Sequence, residues 1–510
     1  MAQNSNPRKR SLILITVDCL RADHCGFYGY SHPTTPFLNT LASESFVVPN
    51  AIVGGAPTFY SLPAILASRM PLALGRDVVG LAPGESTIAA VLRESGYATA
   101  AFSAGNPYIS PRFGYDQGFE TFRDFAGTET QPLPNTHAQD QHVPADVRGK
   151  LNRSLKGVAS SMGLGALYDE LYFQYCMKVV PPAASIDVLR RFPAADVLVD
   201  QALSWLASVA VEDRPFFLWL HLMDPHSPYY PRNEAFGELT GTDIEPGHAR
   251  YLNEFWNRSD LKPVGFKKKR AQVIQLYDAG IRWVDTQIAR LVAHLQETQL
   301  WDECVLALTA DHGEEFLEHG GRYHAPVRLH EEIIRVPLLI RVPGVPVPGA
   351  KSAKVPASPM SHLHLAPTLV DMIGAEAPPA FQGRSLWQNL QQGIAWDDPA
   401  LIECAYNCTN PFRADRRNTP RLMGVRESRF KLVMRMEAGA TEQIYDLESD
   451  PSETRPSAVG GETRKRLLQT ARRLLDQTIS ARDPELRLRA RLRDFRNENS
   501  HSESPPQNLG

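Results

Sequence analysis

The 510-residue chain is poor in several features that would otherwise steer its reading. It has six cysteines, Cys19, Cys25, Cys176, Cys304, Cys404 and Cys408, too scattered for a disulfide framework. A reducing compartment is therefore expected. Cys404 and Cys408 stand alone as a close pair, which is not zinc-finger spacing. No uninterrupted apolar stretch reaches the ~18 residues of a spanning helix, so no transmembrane segment is expected. The basic start, Met1 to Arg10, precedes a short apolar run without a cleavage site. It reads as the approach to a first core strand rather than a signal peptide, and the expected location is cytoplasmic. A net charge of −3 leaves no basic excess, so nucleic acid is not an expected partner. No internal repeat is evident. What remains is an ordinary globular composition, long enough for one large α/β domain and a smaller unit.

What the chain does have is a pair of apolar runs, far apart, that each end in a carboxylate. Ser11-Leu-Ile-Leu-Ile-Thr-Val-Asp18 is the first. Val305-Leu-Ala-Leu-Thr-Ala-Asp311-His312-Gly313 is the second and adds an imidazole. Such runs read as buried parallel strands, and open α/β sheets place their chemistry at the carboxyl ends of strands. Two Asp and one His meeting there would make a hard, oxygen-rich metal site. The plainer reading is that each Asp starts a loop or caps a helix.

Residues 11–125 alternate strand and helix signals: a strand over 12–17, helices from Pro36 to Ser45 and from Thr87 to Ser95, Gly96 as a stop, and a strand from Ala98 to Ser103. This βαβ rhythm predicts a parallel sheet with helices on both faces. It breaks over 126–195, where a polar stretch (126–146) precedes amphipathic helices that read as a packed insertion. The rhythm resumes with a helix from 196, a strand over 215–221, a helix over 271–296, and strands over 305–309 and 336–341. Antiparallel strands follow over 421–433 and 443–447, then an Arg-rich helical stretch from Thr463 to about Arg493, broken near Pro484. The expected division is a catalytic α/β domain over 11–395, a C-terminal α+β subdomain over 396–495, and a polar, disordered tail over 496–510.

Gly54 to Ser68 reads as a loop entering a helix, with Thr58 just before the first turn. Thr58 is either the helix N-cap or a nucleophile. A hydroxyl there lies at the positive end of the helix dipole, and the free N–H groups suit an anion. A metal on the same oxygen would favour the alkoxide.

An ordered set of motifs resembles the sulfatase family, a branch of the alkaline phosphatase superfamily. It opens with Asp18-Cys-Leu-Arg-Ala-Asp-His24 and Gly26-Phe-Tyr-Gly29, and continues through Thr35-Pro-Phe-Leu-Asn-Thr-Leu41, Pro215-Phe-Phe and Asp224-Pro-His226-Ser-Pro228. Tyr277-Asp-Ala with Asp285, Asp311-His-Gly-Glu314, Glu318-His-Gly320 and Arg335-Val-Pro-Leu-Leu-Ile340 follow. Ala366-Pro-Thr-Leu369, Gly383-Arg-Ser-Leu386 and Tyr445-Asp-Leu with Asp450-Pro451 close it. The resemblance implies a large mixed, mostly parallel sheet sandwiched by helices, with a smaller C-terminal antiparallel sheet plus helix. It implies that Asp18, Asp311, His312 and the Thr58 oxygen hold one divalent cation, Mn, Zn, Ca or Mg. It also implies catalytic roles for His226 and His324, with Asn106 and Arg328 on the substrate. A second metal on Asp224, His226 and His319 or His324 is the less favoured arrangement. His362 and His364 read as scaffold, and Glu314 and Glu315 as helix-capping or as orienting His312.

The departures from the family matter as much. Cys19 stands where many relatives have a second Asp, and Leu62 where they have an arginine. The strand ending Phe102-Ser-Ala-Gly-Asn106 replaces a Gly-Lys-x-His pattern. Thr58 replaces the Cys or Ser that becomes formylglycine. The resemblance thus implies a metal-dependent hydrolase of sulfuric or phosphoric esters, with phosphodiester or phosphonate chemistry through Thr58 favoured over sulfate hydrolysis. A phosphoethanolamine-type transferase and an inactive binding homologue are the alternatives. The expected substrate is a small-molecule, glycan or lipid ester.

Overall fold

A strand in which every side chain is buried has no face to give to water, and Ser11–Val17 is such a strand. It lies in the middle of a seven-stranded sheet in a computed structural model that describes residues 9–125, 147–212, 214–347, 357–437, 439, 442–480 and 483–502. Across the sheet the order is Phe46–Val47, Leu338–Arg341, Cys304–Ala310, Ser11–Val17, Phe216–Leu222, Ala98–Ser103 and Thr121–Arg123. The last five are parallel, and Leu338–Arg341 runs against both its neighbours. The helix Ala195–Val209 packs on two of these strands and on the long helix Pro263–Glu297. This is the mixed, mostly parallel sheet with helices that the sequence implies.

A separate antiparallel sheet, Ala400–Ala405, Arg421–Arg426, Phe430–Arg435 and Glu442–Asp446, forms the C-terminal unit. One apolar cluster packs Met423, Val425 and Leu432 of this sheet against Leu467 and Ala471 of the helix Gly461–Ser480 and against Met70 and Ala73. The first of these strands was not expected from the sequence.

Several boundaries differ from the expected ones for identifiable reasons. The first helix stops at Ala42, where the Ser43 and Ser45 hydroxyls take up the Thr40 and Leu41 carbonyls. The expected strand over 336–341 splits at Pro337, which has no N–H to donate. Arg335–Val336 pairs with Ala51–Ile52 in a small second sheet, and the Pro337 carbonyl accepts the Thr309 hydroxyl at 2.8 Å. The expected packed insertion appears as the helices Val147–Ser161 and Gly165–Val179, but no residue of the second is fully buried. It attaches through Phe173 against Tyr251 and Phe255, and through Glu170 to Arg258. The helix Pro484–Ser502 runs into the segment expected to be a disordered tail. The polar stretch 126–146 and residues 503–510 lie outside the described residues.

Candidate active site

Parallel pairing carries three strand ends to one place. Thr16 faces His221 on one side and Thr309 on the other, and Val17 faces Leu222 and Ala310. Asp18 therefore leaves the sheet beside Asp311, with its N–H on Leu222 O at 2.8 Å. Gly313 is required just beyond: a Cβ there would meet Glu332 O at 1.9 Å. The turn after Asp18 is clamped by Tyr277, whose hydroxyl donates to Cys19 O at 2.7 Å and accepts from Arg21 N at 3.0 Å.

Thr58 is the first residue of the helix Thr58–Ala67, with Pro57 before it, and is buried. It thus sits one step further into the helix than the sequence suggests. Its Oγ1 stands 3.4 Å from Asp18 Oδ2 and 3.3 Å from His312 Nε2. His312 Nε2 lies 3.5 Å from Asp311 Oδ2 and 3.8 Å from Asp18 Oδ1. Its Nδ1 faces Gly313 O at 2.9 Å, which assigns the proton to Nδ1 and leaves Nε2 as an acceptor.

This donor set fits a divalent cation. Asp311 Oδ2 is buried and takes part in no hydrogen bond, a costly state for a carboxylate oxygen unless a cation meets it. Burial alone would resist charge on Asp18. His226, the hydrogen bond from His221, and His312 more than offset it and hold its pKa well below the ordinary range. Two carboxylates, an imidazole and a hydroxyl suit Mn, Zn, Ca or Mg.

A family model for sulfatases matches residues 10–375, and one for the C-terminal part of N-sulphoglucosamine sulphohydrolase matches 318–480. This chain belongs to the sulfatase family. It is 23% identical over 506 residues to an arylsulfatase of Clostridium perfringens, covering 93% of this chain and 95% of that protein. It is 28% identical over 257 residues to a choline-sulfatase of Rhizobium meliloti, a match spanning 47% of this chain and 46% of that protein. Among solved structures, the phosphonate monoester hydrolase of Agrobacterium radiobacter shares the fold at 19% identity with a TM-score of 0.61, covering 93% of this chain and 96% of that one. The phosphonate monoester hydrolase of Silicibacter pomeroyi matches at 20% and 0.62, covering 93% and 96%.

In this sulfatase-family chain, the other residues singled out in the sequence meet different fates. His324 comes close, its Nδ1 3.4 Å from Cys19 Sγ and 3.1 Å from Glu314 Oε1, its ring centroid 4.4 Å from that of His312. His226 stands next to it, 5.2 Å between centroids. Burial pushes the pKa of His226 down, against the pull of Asp18. Asn106 donates from Nδ2 to Asp18 Oδ2 at 3.1 Å, so it steadies the carboxylate. Arg328 pairs with Glu315 at 3.3 Å. Glu314 holds His324 and the Tyr229 hydroxyl, not His312. The two-metal set does not assemble: Asp224 pairs with Arg190 and caps Ala195 N, and His319 stacks on His330.

One residue was missed. His221 Nε2 lies 3.3 Å from Asp18 Oδ2, and its Nδ1 lies 2.8 Å from Thr16 Oγ1, which accepts from Trp219 Nε1 at 3.0 Å. The sequence signal was a single polar residue interrupting the apolar strand Phe216–Leu222.

Proposed function

We propose that this sulfatase-family chain is a metal-dependent hydrolase of phosphodiesters or phosphonate monoesters in which unmodified Thr58 is the nucleophile. The observation that carries the reading is the position of its hydroxyl, buried at a helix N-terminus between Asp18 Oδ2 and His312 Nε2. Formylglycine chemistry needs an aldehyde carbon that, once hydrated, offers a second hydroxyl to expel sulfate. The Cβ of threonine carries a methyl group, so it cannot become that aldehyde. A phosphoryl ester needs only one oxygen nucleophile. The fold is shared with proteins named sulfatases and with phosphonate monoester hydrolases alike, so the nucleophile decides between them.

Asp18, Asp311, His312 and the Thr58 oxygen would hold the cation. When bound, it supplies charge stabilisation for the ester oxygens and a lowered pKa for the hydroxyl. In the proposed step Thr58 Oγ1 bonds to phosphorus as the bond to the departing alcohol breaks, and the proton that Thr58 gives up leaves on that alcohol. Water then cleaves the Oγ1–P bond and restores the hydroxyl. His226 and His324 form the imidazole side of the pocket, toward the departing oxygen.

The test is a panel of aryl phosphodiester, phosphonate monoester, phosphate monoester and sulfate esters against each divalent metal. Faster turnover of the diester or phosphonate is expected, with a covalent Thr58 adduct whose phosphorus still carries the substituent that did not depart, trapped by acid quench and found by mass spectrometry. Preferential hydrolysis of the sulfate ester, with no modified Thr58 peptide, would overturn the reading.

A further inference from the structure

The hairpin of helices Val147–Ser161 and Gly165–Val179 turns its apolar side outward. A helix on a protein surface ordinarily gives its apolar stripe to the core. Leu164, Leu167, Leu171, Tyr172, Tyr175 and Val179 recur at steps of three and four residues, so they share one face, yet they are 41–61% exposed. The opposite face holds the hairpin to the body of the molecule, through Phe173 on Tyr251 and Phe255 and through Glu170 on Arg258. Leu155 and Val158 of the first helix, and Met162 just beyond it, are exposed as well. Monomers rarely leave so continuous an apolar surface open without a use for it. The stretch 126–146 ahead of the hairpin has Leu133 and Val143 as its only large aliphatic residues and no aromatic one, too little to cover the stripe.

Cations stand beside this surface. Phe173 packs on two rings that also carry lysines: Lys268 Nζ lies 5.1 Å from the Phe255 ring centre, and Lys269 Nζ lies 5.6 Å from that of Tyr251. Lys178 on the hairpin, and Lys262, Lys267 and Lys268 at the start of the helix Pro263–Glu297, are exposed and make no ion pair among the described residues. Most acids nearby are engaged: Asp169 pairs with Lys156, and Glu170 and Asp260 pair with Arg258. Glu254 is exposed and makes no ion pair among the described residues. In sequence the first helix adds Arg148, Lys150 and Arg153 and no acidic residue. Leucines and valines suit the acyl boundary of a bilayer, tyrosines its headgroup level, and lysines its anionic phosphates. A second copy docking hairpin to hairpin would match the stripe but bring the same unpaired lysines to both sides.

We infer that this hairpin, with the lysines at the start of the helix Pro263–Glu297, is a docking face for an anionic lipid surface. No helix among the described residues is long and apolar enough to cross a membrane, so the hairpin lies on the bilayer and does not span it. The inference does not depend on the reaction proposed at Thr58.

The test is co-sedimentation of the full chain with lipid vesicles. Binding is expected to vesicles of mixed phosphatidylglycerol and phosphatidylcholine at low salt, and about tenfold weaker binding or less to pure phosphatidylcholine or at high salt. Leu171→Gln combined with Tyr175→Gln should weaken binding to the anionic vesicles about tenfold or more. Lys267→Gln combined with Lys268→Gln should do the same. All four side chains are exposed, so circular dichroism and the unfolding midpoint should stay as in the wild type. Equal binding to neutral and anionic vesicles, binding to neither, or wild-type binding by either double variant would overturn the inference. So would a dimer in light scattering that Leu171→Gln with Tyr175→Gln dissociates, which would give the stripe to a second copy.

Discussion

A threonine hydroxyl is a weak nucleophile at its ordinary pKa, so the groups around Thr58 decide whether it can act. Thr58→Ala is expected to lower turnover of an aryl phosphodiester by about 10³-fold or more. Thr58→Ser keeps the oxygen and loses only a methyl group, so it should retain substantial activity. Steady-state kinetics with near-wild-type turnover in the alanine variant would remove Thr58 from the reaction. His221 acts one contact further out, passing the Trp219–Thr16 hydrogen bonds on to Asp18. His221→Gln should weaken divalent-cation binding by about 10–100-fold in calorimetric titration. Unchanged affinity would reduce His221 to a space-filling role. At this scale Asp18, Asp311-His312 and Thr58 were legible because each interrupts an apolar or glycine-rich pattern at a strand or helix end. His221 was not, because its role comes from a pairing between Thr16 and a strand some two hundred residues away.

Elements were legible where their signals are local. Ala98–Ser103 and the Thr87 cap, which accepts from Ala90 N at 3.0 Å, follow the sequence reading closely. The split at Pro337 was not legible, since it depends on two different sheets claiming the two halves. The turn His362–His364 ahead of the helix Leu365–Met372 gives a testable case. His362 is buried with Nε2 3.0 Å from Thr309 Oγ1, and burial pushes its pKa from 6.5 down to about 3. The folded chain therefore binds this proton less readily than the unfolded chain. The contribution is fully present above 6.5 and is lost as pH falls from 6.5 toward about 3. Denaturant midpoints measured at pH about 7.5 and about 5 should diverge less in His362→Gln than in the wild type. An equal shift in both proteins would show that His362 does not carry the dependence.

Across the whole molecule, the catalytic part and the C-terminal sheet are joined through a buried charge network. Lys431 is fully buried; its Nζ donates to Leu329 O at 2.7 Å and pairs with Glu331 and Glu453. Arg426 also pairs with Glu331, and Glu331 N donates to Glu453 Oε2 at 2.7 Å. Burial would resist charge on Glu453, but Lys431 and His330 bring its pKa from 4.5 down to about 2. Its stabilising share is present above 4.5 and is lost as pH falls toward about 2. Lys431→Met leaves both carboxylates short of a partner and should cost about 3–5 kcal/mol. Calorimetric unfolding should show this loss, and adding Glu453→Gln should recover part of it. Unfolding unchanged by Lys431→Met would mean that this network does not hold the two units together. None of this network was read from the sequence, because its members are scattered from Leu329 to Glu453 and look like ordinary surface charges.

Asp18 and Asp311 follow directly on two neighbouring strands and His221 lies in a third, all locked in one parallel register. Their separation is therefore set by the main chain, at about 4.8 Å from strand to strand, and not by the choice of side chains. The sheet behaves as a ruler, with its marks cut in the backbone. Loops around it can be exchanged to admit a different ester without moving a mark. Changing the gauge of the site itself would require shifting a buried strand by a whole residue, which would exchange its two packed faces and unmake the contacts of both.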